Sequence, residues 1–190
     1  MEMPELSGFS LVGGTALSLL YGHRKSVDLD LFSTGGFDSE IIAEKILARY
    51  KSKFIREGKP VIFGLFCYIN NVRIDFVSHP HPLIRPLQVQ EGIRMFSTED
   101  IIAMKVQAIL GRGRKKDFWD IAELLNHYSV ADFVSFHKEK YATQNLLITV
   151  PQVMTFFADA DEDEDPFSLK NQTWESVQEF IREKVSEYLN

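Results

Sequence analysis

Leu11-Val12-Gly13-Gly14-Thr15-Ala16-Leu17 and, a short step later, Ser26-Val27-Asp28-Leu29-Asp30-Leu31-Phe32 decide the reading of this chain. The first stretch places a Gly-Gly-Thr turn between an apolar run and a helix-like run. The second carries two acids on alternate positions of an apolar run. Residues two apart in a strand share a face, so Asp28 and Asp30 project together while Val27, Leu29 and Leu31 turn to the core. Two carboxylates side by side repel unless a cation sits between them. The pair therefore predicts a divalent metal, and magnesium suits carboxylate oxygens combined with substrate phosphates. Gly13 and Gly14 allow a tight turn and close backbone approach to a ligand. Thr15 opens a helix whose free N–H groups favour an anion such as phosphate. A phosphate cradle followed by a metal-binding strand is a recipe for handling a nucleoside triphosphate. A Gly-rich turn with a solvated edge strand is the simpler alternative, but it leaves two charges unexplained on an otherwise apolar strand.

Asp75 lies within Val72-Arg73-Ile74-Asp75-Phe76-Val77, another apolar strand with a central acid. If this strand neighbours the first, three carboxylates converge, enough for two metal ions roughly 3.5–4 Å apart. Asp75 would then be a metal ligand and a base for the acceptor. Its competing role is a salt bridge to Arg73, which shares its face, or to another cation.

Further along, Lys105 rises from the apolar helix Ile101–Leu110, where an ammonium suits a phosphate or simply snorkels to solvent. Lys105, Arg112, Lys116 and Asp120 form one stripe if the following helix stacks on this one. Arg112, Arg114, Lys115 and Lys116 cluster around Gly111 and Gly113, as a phosphate-attracting patch or a solvated loop. Asp117 and Asp120 share a helical face, either contacting a nucleotide or pairing with those bases. Phe118 and Trp119 read as core.

The 190 residues are 45% hydrophobic and 25% charged, as in a globular protein. The single Cys67 excludes an internal disulfide and, among apolar neighbours, reads as a buried thiol. The net charge of −6 resides in residues 159–190, which carry −7, while residues 1–158 carry +1. Met1–Glu5 shows no secretory pattern and no run is long enough for a membrane span, so a cytoplasmic protein is expected.

The expected elements are a strand over 9–12, a helix over 15–21, a strand over 27–32 and a helix capped by Asp38 or Ser39 and running to 50. Ile41, Ile42, Ile46 and Leu47 form that helix's apolar face. Pro60–Ile69 and Val72–Val77 form a hairpin turning at Asn70-Asn71, followed by a Pro-rich loop over 78–86. Helices follow over 98–110, opened by Ser97-Thr98-Glu99-Asp100, then 115–127, 130–141, 151–158 and 173–189. The fold class is α+β: a mixed-sheet core over 1–95, with a helical subdomain over 96–190 that completes the nucleotide site.

Several motifs carry nothing. The acidic loop 159–165 superficially fits a calcium loop, but Glu164 replaces the required glycine and Lys170 the bidentate glutamate, leaving a solvated loop. His79 and His81 lack a third zinc ligand. Cys67 has no adjacent base, and no P-loop is present.

Residues 11–17, Gly22-His23-Arg24-Lys25 through Phe32, and Lys115-Lys116-Asp117-Phe118-Trp119-Asp120-Ile121 together resemble the AbiEii/AbiGii nucleotidyltransferase toxin family. The likeness covers roughly residues 9–126, with Lys105 between the last two motifs. It implies a minimal, polymerase-beta-like nucleotidyltransferase fold. It also implies that Gly13, Gly14 and Thr15 hold the triphosphate, and that Asp28 and Asp30, with Asp75 by strand context, bind Mg2+. Lys105, Lys116, Asp117 and Asp120 would complete the nucleotide site, and Arg24 would contact phosphate or brace its strand. Thr15 stands where many nucleotidyltransferases carry serine. The chain begins almost at the first motif, without much of the N-terminal helix of many relatives. Such proteins are toxins of toxin–antitoxin or phage-defence systems. The expected function is transfer of an NMP from an NTP to an RNA (tRNA included) or protein acceptor, with a cognate antitoxin and no membrane as partner. A catalytically silent nucleotide- or protein-binding module on the same fold is the alternative. A metal-dependent glycosyltransferase also uses Asp-x-Asp, but the chain lacks an obvious second nucleotide-sugar domain.

Overall fold

The computed structural model describes residues 2–59 and 61–190. Two compact units emerge, one from residues up to Ala16 with Ser26–Ser97, the other from Leu17–Lys25 with Thr98–Asn190.

The first unit is built on a mixed seven-stranded sheet: β1 (Ser10–Val12), β2 (Leu29–Ser33), β3 (Phe54–Arg56), β4 (Gly64–Ile69), β5 (Val72–Ser78), β6 (Gln88–Gln90) and β7 (Ile93–Met95), in spatial order β3-β4-β5-β2-β1-β7-β6. The β4–β5 hairpin turns where expected. Asn70 and Asn71 both have positive φ, 52° and 65°, the pairing that a two-residue turn matching strand twist requires. The N-terminal part of the expected first hairpin strand is not strand: β4 begins at Gly64, and Pro60 lies outside the described residues, as does Met1 of the opening segment. β3, β6 and β7 were not anticipated.

β2 and β5 run parallel, with Leu29 beside Ile74, Asp30 beside Asp75 and Leu31 beside Phe76. Alternation sends Ile74 and Phe76 into a cluster with Leu65, Cys67 and Ile69 of β4, against which Leu29 and Leu31 also pack. Asp30 and Asp75 consequently occupy the other face. The helix α2 (Ser39–Tyr50) covers the apolar face, and its N-cap Asp38 accepts hydrogen bonds from the Glu40 and Ile41 amides. Its buried side chains are Ile42, Ala43 and Ile46, whereas Ile41 and Leu47 are half exposed; the stripe is narrower than the four-residue face expected. Val27 also departs from expectation. It precedes β2 and is 77% exposed, because the strand starts only at Leu29.

The helix α1 (Gly13–Tyr21) starts directly after β1. The second unit contains α3 (Thr98–Gly111), α4 (Lys115–Leu124), α5 (Val130–Lys140), α6 (Val150–Met154) and α7 (Trp174–Leu189). Its core includes Phe118 and Trp119, as anticipated, with Trp119 stacked on Trp174 at 5.8 Å between ring centroids. Asp100, expected only as a residue of the helix start, is wholly buried and pairs with Lys140 at 2.6 Å. The acidic loop is not merely solvated. Asp161 accepts the Trp174 indole N–H at 2.8 Å, Asp163 accepts the Lys115 backbone N–H, and Asp165 pairs with the Lys115 ammonium at 2.9 Å. The loop's alternate acids thus cap α4 and anchor the start of α7. The α+β class and the mixed sheet with flanking helices are as expected.

Candidate active site

In the first unit the site is built where β1 turns into α1. Gly13 has φ +69°, a left-handed conformation that favours glycine. A Cβ there would lie 2.7 Å from Asp30 Oδ2. The backbone at Gly13 therefore makes a cradle against the Asp30 carboxylate that a side chain would fill. Thr15, buried two residues later in the first turn of α1, donates its hydroxyl hydrogen to the Asp28 carbonyl and lies 2.8 Å from Ser26 Oγ. Asp28 comes just before β2 rather than within it, and both it and Asp30 are partly buried.

The register sets Asp75 beside Asp30, the neighbourhood that the two apolar strands required. The side chains stop short of a cluster. Among the described residues, no three or more His, Cys, Asp or Glu side chains are grouped to hold a metal. Arg73 Nε donates to Asp75 Oδ1 at 3.1 Å and its Nη2 lies 3.4 Å from Glu57. The hydrogen bond to Asp75 is the main cause that holds the Arg73 guanidinium above its ordinary pKa. The donor set still fits a divalent ion: carboxylate oxygens from Asp28 and Asp30, a third acid in register, and a glycine backbone that leaves the Asp30 oxygens room.

The second unit gathers four of the expected residues, Arg24, Lys105, Asp117 and Asp120, around one carboxylate. Asp120 is fully buried. Its Oδ1 accepts from His23 Nε2 and Arg24 Nε, both at 2.7 Å; its Oδ2 accepts from Arg24 Nη2 at 2.9 Å and Lys105 Nζ at 2.6 Å. Lys105 Nζ also donates to Asp117 Oδ1 at 2.7 Å. Burial pushes the Asp120 carboxyl up, but Lys105, His23 and Arg24 together outweigh it and hold the group far below the carboxylate range. Burial likewise lowers Lys105, and the Asp117 and Asp120 charges outweigh that and raise it. Asp117 Oδ2 and His23 Nδ1 are buried without a hydrogen-bond partner.

Of the expected basic stripe, Lys105 and Asp120 meet. Arg112 is exposed, Lys116 is half-buried, and Lys115 is drawn into the acidic loop. Sequence reasoning did not single out His23, whose ring is wholly buried on Asp120, nor Ser26 beside Thr15. Both sit inside the Gly22–Phe32 motif, so their place in that motif was the available signal. The loop bearing His23 and Arg24 is held by a strap: Lys25 N donates to the Phe167 carbonyl and Leu169 N to the His23 carbonyl.

A mixed sheet with in-register acids beside a Gly-Gly turn and a helix start is the arrangement of a nucleotidyltransferase. The chain belongs to the nucleotidyl transferase AbiEii toxin family of type IV toxin–antitoxin systems, whose profile matches residues 3–187. An uncharacterized protein of Aquifex aeolicus is 32% identical over 95% of this chain and 88% of its own length. Among solved structures, MenT4, a nucleotidyltransferase toxin from Mycobacterium tuberculosis, superposes with TM-score 0.63 at 11% identity, covering 96% of this chain and 75% of that one. JHP933 from Helicobacter pylori gives TM-score 0.58 at 18% identity, over 95% of this chain and 83% of that one. These two share the fold. The protein is a nucleotidyltransferase of a toxin family, and no helix among its described residues is long and apolar enough to cross a membrane.

Proposed function

We propose that the protein transfers an NMP from an NTP to a hydroxyl of an RNA or protein acceptor, using Mg2+, as the toxin partner of a cognate antitoxin. The observation that carries this reading is the pairing of Asp30 with Asp75 across parallel strands, with Asp28 two residues before Asp30 and the Gly13 backbone against it. Asp28, Asp30 and Asp75 would hold the ions, which supply charge neutralisation of the triphosphate and activation of the attacking hydroxyl when bound. The backbone amides opening α1 at Gly13, Gly14 and Thr15 receive the triphosphate. The acceptor oxygen forms its bond to the α-phosphorus as the bond to the bridging oxygen breaks. Pyrophosphate leaves, and Asp75 takes the hydroxyl proton once Arg73 has turned away from it. Positioning and charge stabilisation supply most of the rate. Arg24, Lys105, Lys116, Asp117 and Asp120 are assigned to the nucleotide by family resemblance. The hold of Arg24 on Asp120 supports bracing as its main role.

The test incubates the full chain with Mg2+ and each α-labelled NTP, with total RNA and cell protein as acceptors. Label transfer lost in folded Asp28→Asn and Asp30→Asn variants is the expected result and reveals the acceptor class. Transfer retained by either variant refutes the mechanism. Metal-dependent NTP binding without transfer to any acceptor points instead to a silent binding module.

A further inference from the structure

The Thr15 hydroxyl has one hydrogen and two neighbours, the Asp28 carbonyl and Ser26 Oγ. A carbonyl can only accept, so that hydrogen goes to Asp28. The Ser26 hydroxyl, 2.8 Å from Thr15 Oγ1, must then be the donor to Thr15. Ser26, Thr15 and the Asp28 carbonyl thus form a directed chain of hydrogen bonds that ends on the backbone of a proposed metal ligand.

This chain matters because of where Asp28 sits. Residues 25–28 belong to no helix or strand, and β2 starts only at Leu29. Val27 points outward at 77% exposure and gives the segment no packing anchor. Ser26 and Asp28 are only partly buried, so hydrogen bonds help to fix the backbone just ahead of the strand. Thr15 is well suited to supply one. It is buried and belongs to the first turn of α1, which is continuous with β1, and β1 is paired residue by residue with β2 through Val12 and Asp30. The hydroxyl therefore ties the Asp28 segment to the same rigid turn that lies against the Asp30 carboxylate.

We infer that Thr15 and Ser26 are positioning residues for Asp28, and that the Thr15 hydroxyl is not a ligand of the triphosphate. Phosphate binding at the turn falls to backbone amides alone. This inference rests on the assignment of Asp28 and Asp30 as metal ligands. Partners that orient metal ligands without touching the metal are worth about 10–100-fold in metal affinity, and the effect expected here falls in that range.

The experiment measures binding of Mn2+ alone to the full chain, by electron paramagnetic resonance, for wild type, Thr15→Val, Thr15→Ser, Ser26→Ala and Asp28→Asn. The KM for NTP at saturating metal is measured beside it. Thr15→Val preserves shape but loses the hydroxyl, and it is expected to weaken Mn2+ binding at least about 10-fold and to change the NTP KM at saturating metal by less than that. Thr15→Ser should restore the affinity. Ser26→Ala, which leaves Thr15 in place, should weaken Mn2+ binding less than Thr15→Val does and serves if the valine variant fails to fold. Wild-type Mn2+ affinity in Thr15→Val with a raised NTP KM returns the hydroxyl to the triphosphate and overturns the inference. Unchanged values of both quantities in Thr15→Val and Ser26→Ala overturn it as well. A wild type that takes up no Mn2+, indistinguishable from Asp28→Asn, instead removes the metal assignment and this inference with it.

Discussion

Asp120→Asn tests the buried network most directly, because asparagine keeps the shape of the side chain and changes only charge and one acceptor. Each Asp120 oxygen receives two donors: His23 and Arg24 Nε on one, Arg24 Nη2 and Lys105 on the other. Whichever oxygen becomes an NH2, two donors then face a donor. The Arg24 and Lys105 cations then lose a shared buried counter-charge, with Asp117 remaining beside Lys105. Breaking a buried ion pair by removing one partner costs about 3–5 kcal/mol. For a chain of this length each kcal/mol shifts the melting midpoint by roughly 2–4 °C, so the expected loss is about 6–20 °C at neutral pH. The pH dependence follows from the depressed native pKa. Unfolded, the group titrates near its ordinary 3.8. The carboxylate's contribution is therefore complete above that value and is lost as pH falls below it toward the native pKa. The gap between wild type and variant should stay level from pH 6 to 8, within the plateau set by that pKa, and close in acid. Combining Asp120→Asn with Lys105→Met should cost less than the two changes summed, since the pair shares one interaction. Differential scanning calorimetry measures all of these. A midpoint within about 2 °C of wild type, or strictly additive losses, refutes the view that this network is a stabilising element.

The remaining predictions concern the other unit. Gly13→Ala forces an L side chain to φ +69° and sets its Cβ 2.7 Å from Asp30 Oδ2. The backbone strain alone is about 1–2 kcal/mol, a midpoint loss of about 2–8 °C, and displacement of the carboxylate should cut transfer further. Native melting together with native transfer would contradict the cradle. Burial, assisted by the nearby Asp75 charge, pushes the Cys67 thiol up to about 12. The folded protein should accordingly resist a thiol-labelling disulfide reagent at pH 8 and react fully only in denaturant; rapid labelling of the native chain would show that the β4 core opens.

What the sequence revealed and what it hid divide along the range of the interactions involved. The Asp-x-Asp run, the Asn-Asn turn and the Asp38 cap are local patterns, and each element lies near its expected place. The adjacency of Asp30 and Asp75 was reachable because two apolar strands with central acids have few ways to share a sheet. Strands β3, β6 and β7 are three residues long, too short for an alternation to be visible, and they exist because neighbouring strands offer open edges. Ile41 and Leu47 fit the helical spacing but lie outside the stripe that the sheet covers.

Long-range polar pairing explains the other differences. An acid reads as solvated until its partner is known, and here the partners are far away: Asp100 with Lys140, Asp120 with His23 and Arg24, and Asp161, Asp163 and Asp165 with Trp174 and Lys115. That distinction bears on how the site is assigned. Of the second-unit residues named by family resemblance, Arg24, Lys105, Asp117 and Asp120 are gathered, but they are gathered onto each other, with Lys105 held between Asp117 and Asp120. The first-unit acids are placed differently: Asp30 lies against the Gly13 backbone and shares its face with Asp75 across parallel strands, so sheet register sets its position. A residue wholly enclosed by its partners, as Asp120 is, has to give up existing hydrogen bonds before it can bind a substrate. The chemistry of transfer is therefore expected to depend first on Asp28, Asp30 and Asp75, while changes at Asp120 should lower stability before they alter the reaction itself.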